Sequence, residues 1–326
     1  MKKYIFNLFR FCTFFFASCL LLSMGCQPNH KSSGAENLNG KEFPDEMVSF
    51  KPYTGNAVFQ GASAQAWDKD LRERGYILYE NNVFKMWYTG YNDSISDKRF
   101  LGYATSTDGI NWERHGNKPI LENIWTEDMH VVKHNNIYYM LAEGRGDIAH
   151  MLTSADGINW QSQGDLTILK VNGEPISKGP YGTPTVWIEG GQKYLFYERD
   201  DLSIWLATSD DFLTWTNVQD DPVLELGPGE YDEGAVATNQ IVKYKGKYYM
   251  YYHGSSSPDW NKPGVVALWT SNVAMSTDLV NWKKYPGNPI VEGDHSSPIL
   301  VNDGKSFYLY TMHDKVWRYE PASSGD

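Results

Sequence analysis

Along this chain, apolar and aromatic residues gather into short runs that come in pairs, each pair split by a tight polar break. Such pairs run from Tyr76 to Tyr88 across Asn81-Asn82, from Val131 to Leu141 across Asn135-Asn136, from Val186 to Tyr197 across Gly190-Gly191, and from Ile241 to Tyr252 across Lys245-Gly246. The runs are rich in β-branched and aromatic side chains, and Asn and Gly at the breaks supply the positive φ that two-residue hairpins require. Each pair is followed by a third run and then by the same phrase, Ser-x-Asp-x-x-x-Trp, at Ser106 to Trp112, Ser154 to Trp160, Ser209 to Trp215 and Ser276 to Trp282. One supersecondary unit, a four-stranded antiparallel meander, is therefore copied along the chain.

Four-stranded units of this length arranged radially predict an all-β, five-bladed β-propeller. The fifth blade is split. Residues 293 to 320 supply three strands, around Pro298 to Val301, Phe307 to Thr311 and Val316 to Tyr319, and Val48 to Phe59 supplies the strand that closes the ring and removes its exposed edges. In the repeated phrase Ser and Asp bond to turn amides and Trp packs one blade on the next, so the phrase locates blades rather than chemistry. It is one residue shorter than the Ser-x-Asp-x-Gly-x-x-Trp box of sialidases, which argues against six blades.

The N-terminus reads as an address. Residues 1 to 25 carry Lys2, Lys3 and Arg10 ahead of an apolar stretch from Phe11 to Leu22, the pattern of a signal sequence. Cys26 follows Leu22-Ser23-Met24-Gly25, which resembles a bacterial lipobox with its Leu one position early. The expectation is an acylated Cys26, a flexible tether over residues 26 to 44, a propeller over 45 to 326, and a lipid-anchored place in the bacterial cell envelope, facing the periplasm or the exterior. The other cysteines, Cys12 and Cys19, precede it, so disulfide and cysteine-metal chemistry are excluded from the propeller.

Charge narrows the partners. The chain has 29 Lys plus Arg against 40 Asp plus Glu, a net charge of −11, and its first 25 residues hold three of the cations and no anion. Such a surface repels phosphate backbones, so nucleic acid is excluded as a partner. Aromatics make up 15% of residues, with 12 Trp and 22 Tyr, which suits clefts that stack on sugar rings.

Aligning the units on their hairpin breaks gives one inner-strand position that reads Glu73, Glu127, Gly182, Ala237 and His295, and one near the end of the second strand that reads Thr89, Glu143, Glu198, His253 and Thr311. Positions that serve the fold should look alike in every repeat; these do not. The carboxylates near this mouth are Asp68, Asp70, Glu73, Glu127, Asp128, Glu143, Glu198, Asp232 and Glu233. A pair of carboxyls, one kept protonated and one ionised, is what glycosidic hydrolysis requires. Trp67, Arg72, Arg74, Trp125, Glu143, Arg145, His253 and His295 are candidate substrate-binding residues.

The blade phrases, such as Lys85-Met86-Trp87-Tyr88-Thr89-Gly90 followed by Gly102-Tyr103-Ala104-Thr105-Ser106, resemble those of the five-bladed β-propeller glycoside hydrolases, families 43, 32, 117 and 130. In family 43 a base Asp in blade one, a pKa-tuning Asp in blade two and an acid Glu in blade three carry the reaction. Here blade one has Arg72-Glu73-Arg74-Gly75 and, just upstream, Trp67-Asp68-Lys69-Asp70; blade two has Trp125-Thr126-Glu127-Asp128; blade three begins Gly179-Pro180-Tyr181-Gly182-Thr183-Pro184 with no Glu. The resemblance implies that Glu73 or Asp68 activates water, that Glu127 and Asp128 tune the site, and that Glu198 or Asp232 protonates the leaving oxygen. His295 falls where a relative places a calcium-binding His; no other cofactor is implied. The expected activity is exo-acting, inverting removal of a terminal sugar from a plant or algal oligosaccharide, the alternative being a non-catalytic glycan-binding propeller of the same ancestry.

Overall fold

A computed structural model describes residues 41–322; the signal segment, Cys26 and most of the tether lie outside the described residues. Five antiparallel sheets stand around one axis. Blade one is Asp70–Glu80, Val83–Tyr91, Phe100–Ser106 and Glu113–Arg114; blade two is Glu127–His134, Ile137–Glu143, Ala149–Ser154 and Gln161–Asp165. Blade three is Gly182–Glu189, Gln192–Glu198, Ser203–Ser209 and Thr214–Asn217, widened by Thr167–Leu169, which pairs parallel to its outer strand. Blade four is Ala235–Tyr244, Lys247–Ser255, Trp269–Ser276 and Trp282–Lys284. Blade five joins Pro298–Asn302, Phe307–Met312 and Lys315–Pro321 to two N-terminal strands, Phe50–Pro52 and Phe59–Gln60. The closure predicted from sequence is therefore present, with Lys51 opposite Glu320 and Phe59 opposite Val316.

The repeated phrase is a turn in all four copies. Ser106 Oγ accepts the amide of Gly109 (2.9 Å), and Asp108 Oδ1 accepts those of Ile110 and Asn111 (both 2.8 Å). Ser154 with Asp156, Ser209 with Asp211 and Ser276 with Asp278 repeat the pattern. Apolar packing lies between sheets rather than within them. Trp87, wholly buried in blade one, packs against Tyr138 and Trp160 of blade two and donates its indole N–H to the Gly157 carbonyl (2.7 Å). Outside, Glu80 gathers Lys85, Lys133 and Tyr138 across blades one and two, and Glu189 gathers Lys243 and Tyr248 across blades three and four.

Inner strands pack each on the next, and Pro298–Asn302 returns to Asp70–Glu80 to complete the circle. At the centre lies Arg74, with no exposed surface. Its Nη1 donates to Thr185 Oγ1 (2.8 Å) and to the carbonyls of Thr238 (3.1 Å) and Asn239 (3.0 Å); its Nη2 donates to the carbonyls of Pro184 (3.0 Å) and Asp128. A blade-one guanidinium is thus bonded to blades two, three and four. Burial pulls it down to about 10, with Asp128 opposing, so it stays cationic at neutral pH. The Gln240 amide joins blade four to blade five, accepting the Leu300 N–H (2.7 Å) and donating to the Leu300 carbonyl (3.0 Å). Arg74, expected to bind substrate, is instead placed as a fastener of the ring.

Replacing Arg74 with Met leaves buried carbonyls in three blades without their donor. A broken buried charge network of this kind costs about 3–5 kcal/mol, and at roughly 2–4 °C per kcal/mol for a domain of this size the melting temperature should fall on the order of 10 °C. Arg74→Lys, a point charge that cannot span the same acceptors, should recover only part of the loss in a calorimetric scan.

Candidate active site

The inner strands of blades one, two and three all break their ladder at one height, between Arg72 and Tyr76, Glu127 and His130, and Gly182 and Thr185. In each bulge one residue takes a left-handed backbone: Glu73 (φ 53°), Asp128 (φ 42°) and Thr183 (φ 44°); Ser297 (φ 59°) does so at the entrance to blade five. Non-glycine residues pay for that conformation, and such strain persists where the surroundings fix a side chain for use. All four line one cavity of about 510 Å³ at the mouth of the axis.

Two positions differ from the register expected from the hairpins. Blade one's bulge holds one residue more than the others, so Arg72 is the residue paired with Thr89, as Glu127 is with Glu143 and Gly182 with Glu198. Glu73 consequently corresponds to Asp128, not to Glu127. Blade five turns through Asp303 to Ser306 rather than through two residues, which moves the second-strand position from Thr311, inside the sheet opposite Pro298, to His313, which lines the cavity.

Two carboxyl pairs face the cavity. Glu73 and Asp128 hydrogen-bond side chain to side chain: burial and the Asp128 charge hold Glu73 well above the usual range, while the bond from Glu73 and the nearby Arg74 keep Asp128 ionised, against the cost of its burial. Glu73 keeps 30% of its side-chain surface open, with Arg72 Nη2 at 2.9 Å. The second pair is Glu143 and Glu198. A Cβ on Gly182 would lie 2.2 Å from Glu143 Oε2 and 2.5 Å from Glu198 Oε1, so these carboxyls sit side by side in the space a blade-three side chain would fill. That explains the absent blade-three Glu: two neighbouring strand ends deliver carboxyls to its place. Burial pushes Glu198 up to about 7, although the amides of Asp201 (2.7 Å) and Gly182 favour its ionised form. Glu143, which accepts the Thr183 amide at 3.2 Å, is held well above its usual range by burial and then by Asp128 and Glu198.

The far wall belongs to blades four and five. His253 approaches Asn239 Nδ2 through Nδ1 (3.1 Å) and is pulled by burial to about 4, so it is neutral. Trp269 packs edge-on against His253 and against Trp260 (5.4 Å between centroids in both cases), and Ser296, Ser297 and His313 complete the wall. Trp260, Asn261, Trp269 and His313 had no signal in the repeats, since three of them lie in or beside a connection longer than its counterparts in the other blades.

Several residues expected at the site serve the fold. Asp68 accepts Tyr88 OH (3.0 Å) and Arg114 Nε (2.7 Å); Asp232 accepts Tyr252 OH (3.0 Å) and Lys284 Nζ (2.5 Å). Tyr88 and Tyr252 hold the same place in blades one and four, so the two aspartates repeat one structural motif, buried and away from the cavity lining. Glu127 is buried behind the mouth, ion-paired with Arg72 Nε (2.8 Å). Trp67 stacks on Tyr88, and Trp125 is covered by the guanidinium groups of Arg99 and Arg145. His295 packs on the ring of Trp317 (4.5 Å), outside the cavity lining. Among the described residues no group of three or more His, Cys, Asp or Glu is placed to hold a metal ion.

Against known proteins, the sequence profile of a glycoside hydrolase family described as β-1,4-mannooligosaccharide phosphorylase matches residues 73–268, which span the first four inner strands and the acidic cavity wall. The chain belongs to glycoside hydrolase family 130. It is 27% identical over 238 residues to a 1,2-β-oligomannan phosphorylase of Thermoanaerobacter sp. strain X514, covering 68% of this chain and 77% of that one. Among solved structures it resembles the β-1,2-mannobiose phosphorylase of Listeria innocua in complex with β-1,2-mannobiose (TM-score 0.64, 15% identity, 83% of this chain and 96% of that one). It also resembles a structure from work on family 130 hydrolases that target β-1,2 mannosidic linkages in Candida mannan (TM-score 0.66, 17% identity, 87% and 98%). At such identity the two structures establish the fold. The family assignment makes this a glycoside-active enzyme of carbohydrate metabolism.

Burial of Glu198 has a consequence for stability. Its folded pKa lies above the ordinary carboxylate value, so the stability it contributes is full at pH values below that value and is lost as pH rises toward about 7 and beyond. Glu198→Gln carries no charge to bury. Its melting temperature relative to the parent should therefore rise between pH 5 and pH 8, a difference that paired thermal scans at the two pH values measure directly.

Proposed function

We propose that this family 130 protein is a hydrolase that removes a terminal mannose from β-mannosides, with inversion, and uses water rather than phosphate. The observation that carries this reading is the acidic lining of the cavity. Seven carboxyl groups line it, those of Glu73, Asp128, Glu143, Asp147, Glu198, Asp200 and Asp201. The one lining Arg or Lys, Arg72, is already engaged by Glu73 (2.9 Å) and Glu127 (2.8 Å), and His253 is neutral. A phosphate dianion would meet ionised Asp128 and a ring of carboxyl oxygens, with no free arginine or lysine to hold it. Water carries no such penalty.

Hydrolysis here needs one carboxylic acid and one carboxylate on opposite faces of the sugar. In this proposal Glu73, protonated and hydrogen-bonded to ionised Asp128, gives its proton to the glycosidic oxygen. Glu198, close to neutrality in pKa, takes a proton from the attacking water, whose oxygen bonds to the anomeric carbon as the glycosidic C–O bond breaks. The roles of Glu73 and Glu198 are thereby exchanged relative to the expectation from family 43. A cavity of this size, closed at the axis by Arg74, suits removal of a chain end rather than internal cleavage. Mannose is favoured over other sugars of plant or algal glycans by the family and its relatives.

Incubation with β-1,2-mannobiose and β-1,4-mannobiose, with and without inorganic phosphate, tests this. Free mannose should appear at an unchanged rate in the absence of phosphate, with an α-configured first product by NMR. Production of mannose 1-phosphate would make the protein a phosphorylase, and binding without cleavage would make it a glycan-binding propeller. General acid or base removal lowers rates by about 10² to 10⁴, so Glu73→Gln and Glu198→Gln should each fall by that factor.

The proposed location, the cell envelope through an acylated Cys26, rests on the sequence Leu22-Ser23-Met24-Gly25-Cys26. Cys26→Ser in the full chain should move the protein from the membrane to the soluble fraction in a bacterial host; unchanged membrane association would make the apolar segment itself the anchor.

A further inference from the structure

The connections between second and third strands crown the cavity, and in four blades they are short: residues 92–99, 144–148, 199–202 and 313–314. In blade four the connection runs from 256 to 268 and is the longest of the five. It brings Trp260 and Asn261 to the cavity, and Trp269 opens the strand that follows. Trp260 is half-buried and meets Trp269 at 69°, edge to face, so the two rings brace each other, and both line the cavity. The crest beyond is apolar, with Val266 88% and Leu268 57% exposed.

The two walls of the cavity therefore differ in chemistry and in depth. The carboxyls of Glu73, Asp128, Glu143 and Glu198 come from bulges and strand ends, whereas Trp260, like Asp147, Asp200 and Asp201, comes from a connection beyond the strands. In a pocket that takes a chain end, the terminal sugar occupies the deep position beside the carboxyls and the sugar that departs lies toward the mouth. A saturated ring with one apolar face packs best on an aromatic ring that is already fixed in place, because little entropy is lost on contact.

We propose that Trp260, braced by Trp269, is the platform for the leaving sugar, and that the 256–268 connection makes the enzyme select a glycosyl leaving group over a small alcohol. The inference rests on the reading of the cavity as a β-mannoside-cleaving site, but not on whether water or phosphate is the nucleophile. Trp260 is a specificity-determining residue in this account and takes no part in proton transfer.

The test compares two substrates in the full propeller domain: β-1,2-mannobiose, whose leaving group is a sugar, and methyl β-mannoside, whose leaving group is methanol. Truncating an aromatic anchor of this kind commonly costs 10- to 100-fold. Trp260→Ala should therefore lose about 10- to 100-fold in kcat/KM on mannobiose, mostly through KM, and stay within about threefold of the parent on the methyl glycoside; Trp260→Phe should recover most of the loss. Equal losses on both substrates, or no loss on mannobiose, would overturn the assignment. Should the parent need phosphate, the hydrolytic reading fails, yet the same ratio measured at saturating phosphate still decides the role of Trp260. Should the parent turn over neither substrate, titration of mannobiose followed by tryptophan fluorescence decides it: binding by the parent that Trp260→Ala abolishes supports the platform, and absence of binding by the parent rejects it.

Discussion

One buried guanidinium sets the terms for the rest of this molecule. A propeller has to satisfy the backbone of its inner strands where the ring is narrowest and the ladders have been opened by bulges. Arg74 does so from blade one, reaching acceptors in blades two, three and four, while Gln240 fastens blade four to blade five. Without Arg74 these desolvated acceptors would each lose a donor, the Thr238 carbonyl keeping the Thr185 hydroxyl (3.2 Å). The bulges that Arg74 satisfies are the same bulges that aim Glu73, Asp128 and Thr183 at the cavity, so closure of the ring and construction of the site are a single arrangement.

The same cation explains how so many acids can share one mouth. Arg74 lies beneath them and lends its field to Asp128, which stays ionised even though its own burial opposes this. Once Asp128 holds the negative charge, its neighbours are pushed the other way: Glu73 and Glu143 are both raised by burial and then by Asp128. The division into an ionised residue and protonated ones follows from the hydrogen bond Asp128 accepts from Glu73, reinforced by the field of Arg74, against the cost of burial. Removing Arg74 would disturb that division as well as the fold, and for that reason Arg74 is no test of catalysis.

The blades were legible because the Ser-x-Asp turn recurs with nearly the same spacing, and turn chemistry is local. The closure by an N-terminal strand was legible too, since three strands at one end and one at the other leave a single way to avoid an open edge. The site was only partly legible. Counting from hairpins gives the correct register where bulges have equal length, as at Glu127 and Gly182, and misplaces Glu73 because blade one carries one more bulged residue. It misplaces the blade-five position because that hairpin turn is longer, which hid His313. Asp68 and Asp232 resembled site residues when each was read alone; only the equivalence of Tyr88 with Tyr252 reveals a repeated structural motif. Trp260 could not be reached by comparing repeats, because its connection is longer than its counterparts and Trp260 lies in the added length.

Family 130 includes enzymes described as phosphorylases and enzymes described as hydrolases, and the difference between them asks little of the scaffold. Sugar, leaving group and acid occupy the same frame in either reaction; the nucleophile alone differs, and it differs chiefly in charge. A phosphorylase must offer its dianion a positive berth, whereas in this cavity the one lining Arg or Lys, Arg72, already contacts Glu73 and is ion-paired with buried Glu127. Burial raises Glu198 toward neutrality, and Asp147 and ionised Asp128, which would also face an incoming phosphate, add to that rise. On the proposed hydrolytic reading, one acidic lining thus acts twice, disfavouring an anionic nucleophile and readying a carboxylate to activate a neutral one.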